Sequence, residues 1–141
     1  MKKESLRILQ LGKFYPIRGG VEKVMYDLMW GLSEQGVDCD MMCASEEMGN
    51  RIIEINEHAR LICCNAWRKI AATMIAPAML AKLRSICKDY DIIHVHHPDP
   101  MACLALYCSG YRGKVILHWH SDIQKQKWLL KGYLPFQKCL I

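Results

Sequence analysis

Asp91-Ile92-Ile93-His94-Val95-His96-His97-Pro98-Asp99-Pro100 opens as an apolar strand and closes as the start of a helix, and its reading decides the fold. Ile92, Ile93 and Val95 are β-branched residues that fit a buried pleated surface. Asp99 supplies a helix N-cap, and Pro100 suits the first helical position, where its missing N–H would have had no partner anyway. The same form recurs in Lys114-Val115-Ile116-Leu117-His118, where an apolar run gives way to Trp119-His120-Ser121-Asp122. Strands that end in polar residues and alternate with helices imply a parallel sheet. Such a sheet presents the C-terminal ends of its strands to the ligand crevice. Five of the six histidines, His94, His96, His97, His118 and His120, gather at these two strand ends.

Outward from this centre the alternation continues. Leu6 to Leu11 reads as a first strand and Gly12 to Gly19 as a turn. Val21, Val24, Met25, Leu28, Met29 and Leu32 then follow a helical i, i+3, i+4, i+7 pattern that Gly36 ends as a C′ residue. Asp38 to Cys43 and Arg60 to Cys64 read as further strands, separated by a polar loop around Gly49-Asn50, and Pro77 to Lys88 reads as a helix. A strand from Asp91 to His96, the helix after Asp99 and a strand from Lys114 to His118 complete an α/β chain. The expected architecture is a mostly parallel sheet with helices on both faces. A further helical segment is expected around Gln126 to Lys131.

Composition narrows the function classes. A chain of 141 residues with 52% hydrophobic content is enough for one ordinary core and too apolar for disorder. Met1-Lys2-Lys3-Glu4-Ser5 leads straight into a strand-like run, so no secretion signal is expected. The uncharged stretches from Ile70 and from Met101 fall short of the roughly 18 apolar residues of a membrane span, and a cytoplasmic location follows as an expectation. The eight cysteines form no C-x-x-C pair and lie in apolar runs, which reads as buried reduced thiols. A net charge of +5 without an aromatic-interleaved basic motif argues against nucleic acid; it suits anionic lipid or a phosphorylated substrate.

Gly12-Lys13-Phe14 completes neither a dinucleotide fingerprint nor a P-loop. Gly19-Gly20, by contrast, stands directly before a well-patterned helix. The first N–H groups of a helix lack intrahelical partners and carry the positive end of its dipole, so a glycine turn there can hold an anionic diphosphate. Two glycines equally well serve a tight turn alone, and the segment by itself leaves both readings open.

Phe14-x-Pro16-x-x-Gly19-Gly20-x-Glu22, with Leu28, Leu32 and Gly36 behind it, resembles the N-terminal motif of the family-4-like retaining glycosyltransferases. Asp91 to His96 and Val115 to Asp122 resemble that family's fourth and fifth strands. The resemblance implies the Rossmann-like N-terminal domain of a GT-B fold over residues 1–141, with strand order 3-2-1-4-5 and the nucleotide-sugar pocket mainly in a C-terminal domain absent here. It implies sugar transfer with retention from a nucleotide-sugar donor to a glycan or lipid-linked acceptor, by front-face displacement in which the leaving diphosphate helps take the acceptor proton. The nucleotide sugar is a substrate, and no cofactor or metal is implied. His120 corresponds to the family's histidine beside the donor sugar, and Gly19 and Gly20 correspond to backbone against the donor diphosphate. His96, His97 and Asp99 would border the acceptor cleft. Glu22, His118 and Asp122 would have supporting roles, and His94 reads as a core residue. The resemblance also implies a chain that is catalytically silent without its second domain, and whose apolar tail, Leu134, Phe136, Leu140 and Ile141, lacks a packing partner.

Two other classes compete. The pairs His94/His96 and His118/His120, with Asp99 and Asp122, offer ligands for a metal-dependent hydrolase, but leave Gly19-Gly20-Val21-Glu22 unexplained. Trp67-Arg68-Lys69 and Lys125 to Lys131 mix aromatic, aliphatic and basic residues, as would a noncatalytic membrane-docking or acceptor-recognition module that needs a separate donor-binding partner subunit. The plainer account puts Trp67, Trp128 and Leu129 in the core.

Overall fold

The computed structural model describes residues 6–15, 20–45, 50–70, 73–97 and 99–119. In chain order the elements are β1 (Arg7–Tyr15), α1 (Gly20–Glu34), β2 (Asp38–Ser45), β3 (Arg51–Asn56), β4 (Ala59–Asn65), β5 (Arg68–Ile70), β6 (Thr73–Ile75), α2 (Pro77–Ile86), β7 (Ile92–His97), α3 (Pro100–Ser109) and β8 (Lys114–Trp119). A six-stranded sheet runs in the order β3-β4-β2-β1-β7-β8, and β5 with β6 forms a small antiparallel hairpin. Every pairing in the large sheet is parallel except β3 with β4. Without β3, the order is the expected 3-2-1-4-5, with β1 and β7 adjacent at its centre.

Side-chain alternation along the strands splits the interior in two. Ile8, Cys39, Met41, Cys43, Leu61 and Cys63 face α1 and meet its Met25 and Met29. Leu9, Leu11, Met42, Ile62, Ile93 and Val95 face the other way, onto α2 and α3. The uncharged stretch from Met101 forms α3, which buries Met101, Ala102, Cys103, Ala105 and Leu106 around most of its circumference. A short helix packed on both a sheet and another helix has to be apolar nearly all round. No helix among the described residues is long and apolar enough to cross a membrane.

The helix ends follow their sequence signals. Asp99 Oδ1 accepts the N–H of Ala102 as the N-cap of α3, and Gly110 ends that helix in the left-handed region. Gly36 ends α1 with φ +85°; its N–H donates to Ser33 and that of Val37 to Leu32, a Schellman closure. Three features depart from the sequence reading. β1 does not stop at Leu11 but continues to Tyr15 through a register shift between Leu11 and Phe14, where the sequence suggested a turn. The polar loop around Asn50 leads instead into β3, an edge strand. Trp67 is 81% exposed and not a core residue.

The N-terminal end of the sheet is held by a buried carboxylate. Asp40 accepts from the Tyr90 hydroxyl at 2.6 Å, the Arg60 backbone N–H at 2.8 Å and the Arg60 guanidinium at 3.1 Å, which joins β2, β4 and the approach to β7. Burial, and then the bond to Asp40, raise the Tyr90 hydroxyl well above its ordinary value. Burial likewise pushes the Cys39 thiol up to about 11 and the Cys64 thiol up to about 12, from 9.0. In the unfolded chain these groups ionise first, so above about pH 9 the unfolded state binds fewer protons and stability falls as pH rises. We predict that the urea midpoint is nearly flat between about pH 7 and 8 and drops progressively between about pH 9 and 11. A midpoint unchanged over the alkaline range would show that these groups ionise equally easily in the folded state.

Candidate functional site

The chain leaves β1 for α1 on one face of the sheet and leaves β7 for α3 on the other, so the switch point lies between β1 and β7. Open α/β sheets bind their ligands in the crevice at this point. On the β1 side stands Gly20, the first residue of α1, with φ +64° and room for a side-chain atom with no clash. Glu22 is buried in the first turn, and its Oε2 lies 3.9 Å from where a Gly20 Cβ would sit. A carboxylate there complements the positive end of the helix dipole, in keeping with a structural role. Gly19 lies outside the described residues.

The other wall is the end of β7, and here alternation separates the histidines. His96 and His97 are both fully buried and point to opposite faces. The Nε2 of His96 is 2.5 Å from Gln10 Oε1, on the α1 face. His97 lies on the α3 face, with its ring nitrogens 3.7 and 3.8 Å from Cys103 Sγ and its ring stacked on Trp119 at 5.3 Å. Asp99 is buried as the α3 cap. His94 and His118, both half-buried, lie on the α1 face with His96; His94 Nε2 is 3.2 Å from His118 Nδ1. His120 and Asp122 lie outside the described residues; His120 follows Trp119, the last residue of β8.

The structure therefore brings together His94, His96 and His118 with Gln10, and keeps His97 and Asp99 apart from them. Gln10 was missed by sequence reasoning, although a lone amide inside Ile8-Leu9-Gln10-Leu11 was a signal, because a buried amide in a central strand needs partners. Gly12 was missed as well. It sits at the β1 register shift with φ +133°, and a Cβ there would meet Asp99 Oδ2 at 3.3 Å and the His96 carbonyl oxygen at 3.4 Å. A glycine inside a strand marks this kind of close backbone approach. A separate groove of about 620 Å³ lies on the far side of the sheet, between the β3–β4 edge and α2, with Arg51, Lys82 and Ser85 among its lining residues.

The profile of Glycosyltransferase Family 4 matches residues 18–139. The chain belongs to this family. It is 32% identical over 135 residues to the O-antigen chain mannosyltransferase C of Escherichia coli, covering 94% of this chain and 36% of that protein. It is 26% identical over 136 residues to the D-rhamnosyltransferase WbpZ of Pseudomonas aeruginosa, covering 92% and 34%. The chain thus spans about a third of the length of these glycosyltransferases. The matched segment takes in the Gly19-Gly20 turn, both histidine strands and the residues after β8.

Gly12 gives the site its tightest tolerance. We predict that Gly12→Ala destabilises the fold by roughly 1–3 kcal/mol, because an L-residue is strained at this φ and its methyl group presses on Asp99 and the β7 carbonyl. Urea denaturation checks this, and an unchanged midpoint would mean that β1 relaxes there without strain.

Proposed function

We propose that this chain forms the acceptor-side domain of a two-domain GT-B glycosyltransferase that moves a sugar, with retention, from a nucleotide-sugar donor to a glycan or lipid-linked acceptor. The observation that carries the reading is the convergence of the α1 N-terminus and the ends of β7 and β8 at one switch point, within a chain of Glycosyltransferase Family 4. The helix N-terminus supplies N–H donors and a positive dipole end suited to a diphosphate. Gly20 keeps side-chain atoms away from it. His120, the residue that follows β8 in the sequence, takes the role of the family's histidine in this reading: it hydrogen-bonds the donor sugar and supports positive charge growing at its anomeric carbon. The leaving diphosphate then helps take the acceptor proton, so no protein nucleophile is required.

The relatives' names narrow the sugar. One is named for mannose and the other for D-rhamnose, which is 6-deoxy-D-mannose, so we assign a donor of manno configuration and an O-antigen-type polysaccharide acceptor. The exposed Trp67 at the root of the β5–β6 hairpin and the net charge of +5 support peripheral contact with the anionic cytoplasmic face of a membrane, where a lipid-linked acceptor would be held.

Two substitutions test the assignment in an enzyme carrying both domains. His120→Ala should lower kcat by about 10²-fold or more while nucleotide affinity holds, the effect of losing one well-placed polar group from the transition state. An unchanged kcat would sink the role of His120. Gly20→Asn keeps a residue that tolerates the left-handed region but puts a side chain over the helix terminus. Donor affinity should fall by about 10-fold with the melting temperature held, and unaltered donor binding would make this glycine purely conformational. Among nucleotide-linked D-mannose, D-rhamnose and D-glucose, the first two should be the better donors.

A further inference from the structure

On the α1 face of the sheet, His94 and His96 are two residues apart on β7, and His118 is the register partner of His96 on β8. The three rings form one cluster, with centroids 4.2 Å apart for His94–His96, 5.2 Å for His94–His118 and 5.1 Å for His96–His118. Each ring offers a nitrogen within 4.8 Å of those of the other two. Alternation and strand register bring about this meeting, and neither is visible in the spacing of His94 and His118 along the chain.

We propose that His94, His96 and His118 form a binding site for a divalent transition-metal ion, with Zn²⁺ as the best-fitting type. Three observations carry it. Imidazole nitrogen is a preferred donor for Zn²⁺ and its neighbours in the series. Tetrahedral coordination with Zn–N near 2.0–2.1 Å sets ligand nitrogens about 3.3 Å apart. His94 Nε2 and His118 Nδ1 stand 3.2 Å apart, so modest ring rotations close the set. His96 also has an outer-shell partner of the required kind. The Gln10 amide nitrogen donates to Cys39 Sγ, which turns its Oε1 toward His96 Nε2. An amide oxygen only accepts, so Nε2 carries the proton and Nδ1 the lone pair; a carbonyl behind a ligating imidazole is the usual outer-shell support.

His96 is buried and anchors the site, while the half-buried His94 and His118 leave a route for the ion. α1 packs over β1, β2 and β4, and Ile116, on the same face of β8 as His118, is 46% exposed. The proton between His94 and His118 moves to the outer nitrogen of its ring when the ion enters, so three neutral imidazoles and a water complete four-coordination with no net charge taken from the protein. The ion would pin β7 to β8 directly before His120. The site stands whether or not the chain transfers sugar, and it departs from the sequence expectation of no metal.

The test is titration of protein purified without a histidine tag with ZnCl₂ and CoCl₂, followed by competition with a chromophoric chelator, by melting temperature and by the visible spectrum of the Co²⁺ form. We expect saturable one-to-one binding, a higher melting temperature and the d–d bands of a low-coordinate nitrogen site. His118→Ala, or His94→Asn if that variant fails to fold, should weaken binding by at least about 10-fold, while His58→Ala leaves it unchanged. Binding that survives both cluster variants, or a near-ultraviolet thiolate-to-Co²⁺ charge-transfer band, would place the metal elsewhere and overturn the proposal, as would the absence of saturable binding.

Discussion

The close approach of Gly12 to the turn after β7 is the constraint on which the rest of the molecule depends. β1 and β7 are the central pair of the sheet, and their chains leave for opposite faces. Where they part, backbone must pass within van der Waals contact of the α3 cap: a Cβ on Gly12 would lie 3.3 Å from the Asp99 carboxylate. The register shift between Leu11 and Phe14 accommodates this with one extra residue in β1, which stays paired to β2 while its pairing with β7 ends at Leu11. Asp99 in turn starts α3, and α3 covers His97. A single glycine thereby sets the spacing of the crevice wall to which the family's chemistry is assigned.

The two ends of the sheet do different work. At the N-terminal end, polar groups are neutralised among themselves. Asp40 is satisfied by Tyr90 and Arg60, and Asp91 exchanges hydrogen bonds with the backbone of Arg7. A buried carboxylate bonded in this way stabilises the fold because breaking any one bond leaves a desolvated charge behind. At the C-terminal end the polar residues are imidazoles and a helix terminus, groups that can exchange partners with a ligand. That contrast in chemistry, more than the number of polar residues, marks which end of the sheet serves function.

Much of the fold was legible because strong local signals agreed. Asp99-Pro100 started α3, Gly36 closed α1, and the apolar runs gave the five parallel strands. β3 escaped because Glu54 interrupts its isoleucines and Arg51 precedes them, which is how an edge strand that faces solvent discourages further pairing. The hairpin of β5 and β6 escaped because three-residue strands carry no measurable period. The site was legible only in part. Both histidine strands were visible, and the period-2 rule, which sends neighbours to opposite faces, separates the side chains of His96 and His97 at the strand end expected to border the cleft. The same rule holds for His118 and Trp119, which lie on opposite faces of β8.

The histidine trio and the glycosyltransferase reading bear on each other through β8. This strand is held in the sheet by β7 alone among the described strands, and it exposes Ile116 on one face and Trp119 on the other. A strand so held is an edge of the sheet, and His120 follows directly from it. Beyond the parallel backbone ladder with β7, its side chains brace it through ring contacts at the C-terminal end, His97 with Trp119 on one face and His94 and His96 with His118 on the other. Imidazole stacking alone is a weak constraint, of the order of 1 kcal/mol for an aromatic pair. An ion shared by the three rings would be a far stiffer one, and it would act on the strand that leads into His120.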